Sequence, residues 1–589
     1  EMAQLVAEGP TAQELEQAKT MIRAGFIRGI ERIGGFGGKA DVLAACEVFA
    51  GDPGCFQETL DIIEATTAAD IQAMGRKWLG DGDHTLVVVP GARTALPEDP
   101  AVTPAPFTLP PVDPKYATVE TDVDRSAGPP MPEAFPDLVF PDLQRATLSN
   151  GVQVILAERH EVPVVQFQLL LDGGYKADAL DGAKLGTSSF AMSLLDEGAA
   201  DQSALEFAAA AESLGANLGA GASLDGANAS LSALKEKLDP SLALFADMLQ
   251  DPRFDQAEID RVKASWIAGI KQEKARPNGA ALRVLPPLLY GEGHAYAIPF
   301  SGTGTEASIA ALTRGDLMDY HHAWVRPGDA TLVVVGDTTL AQVTPLLEKH
   351  FGDWDVAGDA PEPVEVARVE LPGQPRVFLI DQPGAVQANI FIGQLMPSSR
   401  DEGATELDIA NAVLGGEFSS RLNMNLREDK HWAYGSYSFV SDAQGQRPWI
   451  AFAPVQIDKT VESLAELKRE ISEYATGAVP PTAEEVAKIK ATNIRGLPGA
   501  YETGGAVMGT IGGIVRYDRP DDYVVQRREE IESLTAAEVA EAAAAIDPSA
   551  LTWVVVGDLD TIEAPIRELD LGTVTIVDAD GNPVTDAAE

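Results

Sequence analysis

Cysteine is scarce in this 589-residue sequence, which contains only Cys46 and Cys55, on either side of a Gly-Asp-Pro-Gly turn. Their spacing permits a local disulfide, which would favour the periplasm or the cell exterior, and it equally permits two buried free thiols. Two cysteines at this spacing do not resemble a cysteine–histidine catalytic site. We therefore expect a periplasmic or extracellular protein, and the state of the two thiols stays open.

Basic residues are few compared with acidic ones, at 44 Lys and Arg against 90 Asp and Glu, which gives a net charge of -46. Phosphate binding needs clustered cationic side chains, so we expect no nucleic-acid partner and no anionic membrane surface. The negative charge is consistent with a solvated acidic surface that aids solubility. It is also consistent with a chamber that attracts cationic peptides, and composition does not decide between the two.

Long hydrophobic runs are also absent. No stretch approaches the ~20 consecutive apolar residues of a membrane-spanning helix, so no membrane span is expected. No signal peptide is visible, but Glu1 lies inside a helical pattern, which predicts that the natural N-terminus lies upstream.

One short module occurs three times in the chain. Each copy begins with a threonine three residues before an acidic residue, a pattern typical of a capped helix start. A helix follows, and then a turn leads into a short apolar strand. The three threonines are Thr67, Thr313 and Thr535, and the three strands are residues 86–89, 332–335 and 554–556. The repetition predicts duplicated domains.

The domain plan follows from these repeats and from two similar hairpin openings, one around Asn150-Gly151 and one at 376–395. Strands and helices mix without strict alternation, which predicts an α+β fold of repeated domains, each a mostly antiparallel sheet with helices packed on it. Residues 1–91 are interpreted as the C-terminal remnant of a domain, and 92–141 as a proline-rich linker or a disordered segment. Residues 142–360 and 361–589 then form two whole domains.

Four segments resemble the M16 family of metallopeptidases, named for pitrilysin and insulinase and including the mitochondrial processing peptidase. They are the hairpin at 148–152, the segment at 290–312 with His294, the strand and its approach at 320–337, and the signature at 414–435. The resemblance implies four homologous domains in two halves that close around a peptide chamber. It also implies a zinc ion in the first domain, held by H-x-x-E-H and a later glutamate, with the motif glutamate as general base.

This chain departs from that zinc motif. Aligning the glycines that flank the motif places Ser189, Met192 and Ser193 where His, Glu and His belong, and the downstream ligand falls near Gly269. These residues supply neither a good zinc ligand nor a base. The seven histidines contain no pair at helical ligand spacing, and we expect His294 to have a structural hydrogen-bonding role. Zinc is therefore expected in the complete enzyme, with none bound by this chain.

The 414–435 signature retains two residues that, by the resemblance, contact substrate across the chamber and stabilise the oxyanion at the scissile carbonyl. These are Arg427 and Tyr434, both hydrogen-bond donors; an Arg–carboxylate pair and a packed tyrosine are the structural alternative. Gly415 and Gly416 are candidates for close backbone approach to a peptide, or they form a helix-ending turn.

The sequence thus predicts the non-zinc half of a zinc endopeptidase that acts on peptides in a closed chamber. A missing N-terminal catalytic half, on the same precursor or on a partner chain, would carry the zinc, and this chain alone would be inactive. A dimer is possible on this interpretation. The alternative is a non-proteolytic M16 homologue, either structural or peptide-binding.

Overall fold

The computed structural model describes residues 1–80, 82–89, 91, 125, 126, 128, 135–180 and 182–584, which form two compact units. The first unit comprises residues 1–12 and 66–137, and the second comprises 13–65 and 138–589. In the first unit, helix α1 (Met2–Glu8) contacts helix α5 (Ala68–Trp78), because Gln72 and Arg76 donate hydrogen bonds to carbonyl oxygens at the end of α1.

The second unit contains two six-stranded sheets. The strands of the first sheet lie in the order β1-β2-β8-β3-β7-β6, and those of the second in the order β11-β12-β10-β13-β9-β14. The first sheet is formed by β1 (Leu143–Thr147), β2 (Gln153–Glu158), β3 (Val164–Leu171), β6 (Asn217–Ala222), β7 (Ala227–Leu234) and β8 (Thr331–Gly336). The second is formed by β9 (Arg376–Asp381), β10 (Gln387–Met396), β11 (Tyr437–Val440), β12 (Arg447–Gln456), β13 (Thr552–Gly557) and β14 (Thr573–Ile576). A short ribbon pairs β4 (Gly198–Ala199) with β5 (Gln202–Ser203).

The two sheets share one topology. In each, a parallel pair (β2 with β8, β9 with β13) is followed by antiparallel neighbours (β3, β7 and β6, or β10, β12 and β11). They differ at one edge, where β1 runs antiparallel to β2 while β14 runs parallel to β9. This equivalence agrees with the repeat in the sequence, and the predicted α+β class with mostly antiparallel sheets is confirmed.

Helices cover both sheets. The helices before β9, besides α1 and α5, are α2 (Ala12–Gly29), α3 (Lys39–Ala50), α4 (Cys55–Ala65), α6 (Thr187–Met192), α7 (Ala204–Leu214), α8 (Leu238–Gln250), α9 (Gln256–Ala275), α10 (Pro277–Tyr290), α11 (Glu306–Ala311), α12 (Arg314–Trp324) and α13 (Leu340–Phe351). Those after β9 are α14 (Ala404–Asn411), α15 (Arg421–Asn423), α16 (Thr460–Ala475), α17 (Ala483–Ala500), α18 (Gly504–Arg516), α19 (Tyr523–Ser533), α20 (Ala536–Ala543) and α21 (Leu559–Glu568).

Two of these helices cross from one sheet to the other. Helix α10 follows the helices of the first sheet in sequence, yet its Val284 and Leu285 pack in a core with Val554 of the second sheet. Helix α18 comes from the later half of the chain, yet its Val507 packs against Val333 of the first sheet. The exchange buries the outer face of each sheet under a helix from the other segment, so the two sheets form one body.

The local predictions are mostly confirmed. All three threonine-started helices have a complete capping box, and the Asn150-Gly151 turn joins β1 to β2 with Gly151 at φ 98. The strand predicted at 86–89 is wrong, since these residues are irregular and exposed, and no described strand pairs with them. Most of the predicted linker lies outside the described residues, and the proposed domain boundaries stay a prediction.

The two cysteines form a disulfide between the start of α4 and the body of α3. The bridge joins residues nine positions apart, so the structure has a disulfide where the sequence also permitted two buried free thiols.

Candidate functional site

The segment that carries Arg427 and Tyr434 has an unusual backbone. After β10 and α14 the chain forms a π-helical turn at 412–416, then α15, and then a second π-helical turn at 424–429 that leads towards β11. Such turns are rare and are often found at functional sites. Arg427 lies on the second turn, and Tyr434 lies in the connection between that turn and β11.

The Arg427 guanidinium lies against two aromatic rings. Its Cζ is 4.6 Å from the ring centroid of Phe418 and 5.2 Å from that of Tyr434. The Arg427 side chain is 29% exposed, whereas Tyr434 is 86% exposed. The Arg427 Nε is 3.4 Å from a carboxylate oxygen of Glu428, an exposed ion pair that contributes little to stability. The structure therefore brings the two predicted residues together at the surface, where both can meet a ligand.

Two buried asparagines hold this segment in place. Asn423 donates to the Phe418 carbonyl oxygen at 2.6 Å and accepts from the Ser436 N–H at 3.1 Å. Asn411 donates to the Ser438 carbonyl oxygen at 3.0 Å and accepts from the Ser438 hydroxyl at 2.6 Å. The side-chain amide of Asn423 thus links residue 418 to residue 436, and that of Asn411 links the end of α14 to β11. These links pre-organise the residues between them. Sequence reasoning missed both asparagines, because an asparagine in a helical stretch gives no signal about which distant backbone it contacts.

The two glycines have different surroundings. A Cβ on Gly415 would lie 2.3 Å from the Ser438 Oγ and 2.6 Å from the Ser438 N, so the first π-helical turn touches β11 only because residue 415 has no side chain. Gly416 is exposed, and a Cβ there would come no closer than 3.2 Å to another atom, the Asn411 amide nitrogen. Gly415 therefore has a packing role beside the site, and a peptide contact of either glycine stays a prediction.

The site borders a sheet edge that no other described strand pairs with. Strand β11 is the last strand of the second sheet, and its Tyr437 and Phe439 are about half-exposed. An edge strand offers free backbone donors and acceptors to an extended peptide. Chemically, the site combines two side-chain donors, aromatic surface and a sheet edge, which suits binding of a peptide and of a developing oxyanion but supplies no metal or base.

Ser189 and Met192, two of the positions that the sequence alignment matched to the zinc motif, lie on α6, and the third, Ser193, lies at its C-terminal end. Ser189 is 9% exposed and Met192 is 1% exposed, with Met192 inside the main apolar core of the first sheet. The Ser193 hydroxyl donates to the Phe190 carbonyl oxygen at 2.9 Å, as it terminates the helix. At the position that the sequence alignment matched to the general base, Met192 has an apolar side chain that packs in the core.

The downstream position lies on α9, which packs against α6. Trp266 meets Phe190 edge-on with 5.4 Å between ring centroids, and Gly269 is one helical turn further along. A Cβ on Gly269 would meet no atom within 4 Å. Across the described residues, no group of three or more His, Cys, Asp or Glu side chains could hold a metal ion. The residues at these four positions do not fit zinc.

Asp178 holds the start of α6 and was not anticipated from the sequence. It is 4% exposed and accepts hydrogen bonds from the Gly186 N–H at 2.8 Å, the Ser188 N–H at 2.9 Å and the Ser188 hydroxyl at 3.1 Å. Burial raises the pKa of Asp178 to about 7, partly opposed by these three bonds. Burial also raises the pKa of the neighbouring Tyr175, against the effect of its contact with Ser189.

His294 has the structural role that the sequence predicted. The Tyr296 N–H donates to its Nδ1 at 3.0 Å, so its Nε2 carries the proton and donates to the Ala367 carbonyl oxygen at 2.8 Å. The ring also stacks on Tyr290 at 5.0 Å. Both ring nitrogens are occupied by backbone partners.

Comparison with known proteins agrees with this geometry. Residues 153–290 match the family model for insulinase (peptidase family M16), and residues 311–493 match the model for the peptidase M16 inactive domain. The chain belongs to peptidase family M16. The inactive-domain match covers the segment with Arg427 and Tyr434, and the insulinase match covers Ser189, Met192, Ser193 and Gly269.

The M16 relatives include proteins named as zinc proteases and one named as a non-peptidase. An uncharacterized zinc protease of Bacillus subtilis is 26% identical over 335 residues, which are 56% of this chain and 79% of the relative. A non-peptidase homologue from Helicobacter pylori is 22% identical over 343 residues, 57% of this chain and 77% of its own length. The crystal structure of an M16 inactive domain from Pseudomonas fluorescens superposes with a TM-score of 0.65 at 24% identity, covering 71% of this chain and 98% of that one. Its likeness supports the fold.

Proposed function

We propose that this chain is the non-zinc half of an M16 metallopeptidase and that it supplies Arg427 and Tyr434 to the substrate peptide. The zinc ion and the general base would lie on another M16 half, either elsewhere in the same polypeptide or on a partner chain. The observation that carries the proposal is the position of the Arg427 guanidinium between Phe418 and the exposed Tyr434, on a segment pinned at both ends by buried asparagines.

The chemistry of this contribution is electrostatic. A guanidinium and a phenolic hydroxyl are both donors that can stabilise negative charge on the oxygen of a scissile carbonyl. The aromatic faces on the guanidinium orient it without neutralising its charge. An extended substrate strand pairing with the β11 edge would bring its carbonyl groups next to these donors.

Two further observations support a second half and an oxidising compartment. Helices α3 and α4 expose large apolar side chains, including Val48 at 74%, Phe49 at 88% and Ile62 at 60%, as protein interaction surfaces do. The Cys46–Cys55 disulfide favours a periplasmic or extracellular location. No helix in the described part of the chain is long and apolar enough to cross a membrane.

The test is the variant Arg427→Ala in the complete, zinc-loaded protein. Loss of one preorganised oxyanion donor should lower kcat by about 100-fold or more while zinc content stays unchanged. Arg567→Ala is the matched control, since Arg567 is a half-exposed arginine on α21 paired only locally with Glu563. Equal kcat values for the two variants would refute the assigned role.

A second candidate function is favoured by two observations: the described residues contain no group of three or more His, Cys, Asp or Glu that could hold a metal ion, and one relative is a non-peptidase homologue. In that case the chain would be a structural or peptide-binding M16 protein. Elemental analysis and peptide hydrolysis by the complete protein distinguish the two, because the scaffold function requires neither zinc nor turnover.

A further inference from the structure

A cavity of about 350 Å³ lies where the two sheets meet, away from the Arg427 site. One wall comes from the first sheet's segment, through Lys176 after β3 and Trp324 at the end of α12. The opposite wall comes from the second sheet's segment, through Arg400 after β10 and Gln444 before β12. The cavity is at the small end of the range for ligand pockets in proteins.

A buried lysine lies in the wall of this cavity. Lys176 is 6% exposed, and within the described part of the chain its Nζ donates one hydrogen bond, to the Gln444 Oε1 at 2.7 Å. The nearest carboxylate, Asp225, is 3.9 Å from Nζ and is already bonded by the Gln444 N–H and the Tyr296 hydroxyl. An ammonium has three hydrogens, so this one is under-satisfied for a buried cation.

Charges of both signs surround Lys176, and a second cation shares the cavity wall with it. Burial is the main reason that the pKa of Lys176 is lowered; Asp225 and then Asp172 oppose this lowering, and the smaller effects of Arg516 and Arg400 add to it. Arg400 lines the cavity and is 40% exposed at its side chain, held by Asp518 at 2.9 Å. The carboxylate in the lining, Asp172, is exposed, so solvent screens it more than the buried lysine.

The remaining lining is apolar. Trp324 is 9% exposed, and Pro363, Val364 and Val366 contribute an extended segment that precedes β9. A ligand that fits must therefore carry a compact negative group at one end and an apolar body at the other. A phosphate would fill the polar end but leave the apolar wall without a partner.

We propose that this cavity binds a carboxylate attached to a small apolar body, with Lys176 and Arg400 on the carboxylate and Trp324, Val364 and Val366 around the body. The carboxylate would complete the hydrogen bonding of the lysine with charge-assisted bonds. Two sources share this chemistry: a free N-acylated apolar amino acid and the C-terminal residue of a peptide. The site does not depend on peptidase activity and so goes beyond the function proposed above.

The experiment is calorimetric titration of the full chain with N-acetyl-leucine and with N-acetyl-leucinamide. The acid should bind about tenfold or more tightly than the amide, because only the acid can form charged hydrogen bonds with Lys176. A hexapeptide ending in leucine, as acid and as amide, identifies the source: preference for its acid form assigns the peptide C-terminus, and binding of the small acid alone assigns the free molecule. Equal binding of acid and amide, or no binding of either, overturns the proposal.

Variants assign the binding to this cavity. Arg400→Ala, at the rim, should weaken binding of the acid by about two- to fivefold and leave the amide unaffected, as expected for a half-exposed ion pair. Arg567→Ala is the control and should change neither. Lys176→Met should remove the preference for the acid, provided that its thermal melt shows a folded chain.

Chemical footprinting of the wild-type protein tests whether the ligand binds at Lys176, even if the Lys176→Met variant does not fold. Saturating N-acetyl-leucine should slow acetylation of Lys176 by acetic anhydride, read by mass spectrometry. The exposed Lys349, which pairs with Asp239, should react at an unchanged rate. Unchanged reactivity of Lys176 would contradict the assignment.

Discussion

Replacing Asp178 by asparagine should remove a specific pH dependence from the stability of α6, the helix that carries Ser189 and Met192. Asp178 caps the start of α6 through the N–H groups of Gly186 and Ser188. An asparagine keeps one acceptor oxygen at this position but cannot ionise, so the variant distinguishes the effect of the hydrogen bonds from the effect of carboxyl ionisation. The variant should lose part of the cap, about 1 kcal/mol, at every pH.

The magnitude follows from the pKa. Burial raises the pKa of Asp178 from 3.8 to about 7, so the folded state retains a proton that the unfolded chain releases between these values. The contribution of Asp178 to the free energy of unfolding should therefore be highest below pH 4 and fall by about 1.4 kcal/mol per pH unit as pH rises, about 4 kcal/mol in all, before levelling off above pH 7. The Asp178→Asn variant has no such proton, so this contribution to its stability does not change with pH.

Hydrogen exchange of the peptide that contains α6, measured from pH 5 to pH 8 and corrected for intrinsic exchange rates, is the suitable assay. A local measurement is needed because a multidomain chain need not unfold in one step. Asp521→Asn is the contrasting control: the pKa of Asp521 is lowered by its hydrogen bond to Arg145, so its contribution is lost only as pH falls below the ordinary carboxyl range. Parallel pH profiles for wild type and Asp178→Asn would refute the reasoning.

Two further predictions concern packing and covalent structure. Gly415→Ala should destabilise the second sheet by about 1–3 kcal/mol, because the new Cβ would collide with Ser438. Gly496→Ala is the control: this glycine has open space around it on a helix, so the variant should be more stable by up to about 1 kcal/mol. Thermal melts of both variants measure the difference, and equal melting temperatures would contradict the predicted collision. Replacing Cys46 and Cys55 by alanine should lower the stability of the α3–α4 hairpin by about 2–3 kcal/mol and speed its proteolysis, and unchanged cleavage rates would show that the disulfide adds nothing there.

Local features of the fold could be predicted because their signals lie within a few residues. The capping boxes at Thr313 and Thr535 and the Asn150-Gly151 turn each depend on side chains three or fewer positions apart. The strand at 86–89 failed for the opposite reason. Its apolar residues match the pattern of the other two copies, but a strand also needs a neighbour to pair with, and that neighbour is not coded within the segment.

The site was predictable in part. The signature at 414–435 identified Arg427 and Tyr434, and the structure places them together. Phe418 lay inside the same signature, and an aromatic next to a candidate arginine could have been considered as a partner. The supports from Asn411 and the cap from Asp178 could not be found, because each depends on which distant backbone groups the fold brings near a short polar side chain.

The positions that the sequence alignment matched to the zinc motif differ in burial from the exposed end of the Arg427 segment. Met192 lies in the core at 1% exposure, so a glutamate there would require burial of a carboxylate unless a cation came with it. Gly269 has no side chain, so a metal ligand set at these positions would need several substitutions at once. Tyr434, by contrast, is exposed and contributes no buried area that stability alone would preserve. Packing therefore explains why α6 is a stable helix, but it does not explain an exposed tyrosine placed against a pinned arginine, which the substrate contact proposed for that pair would explain.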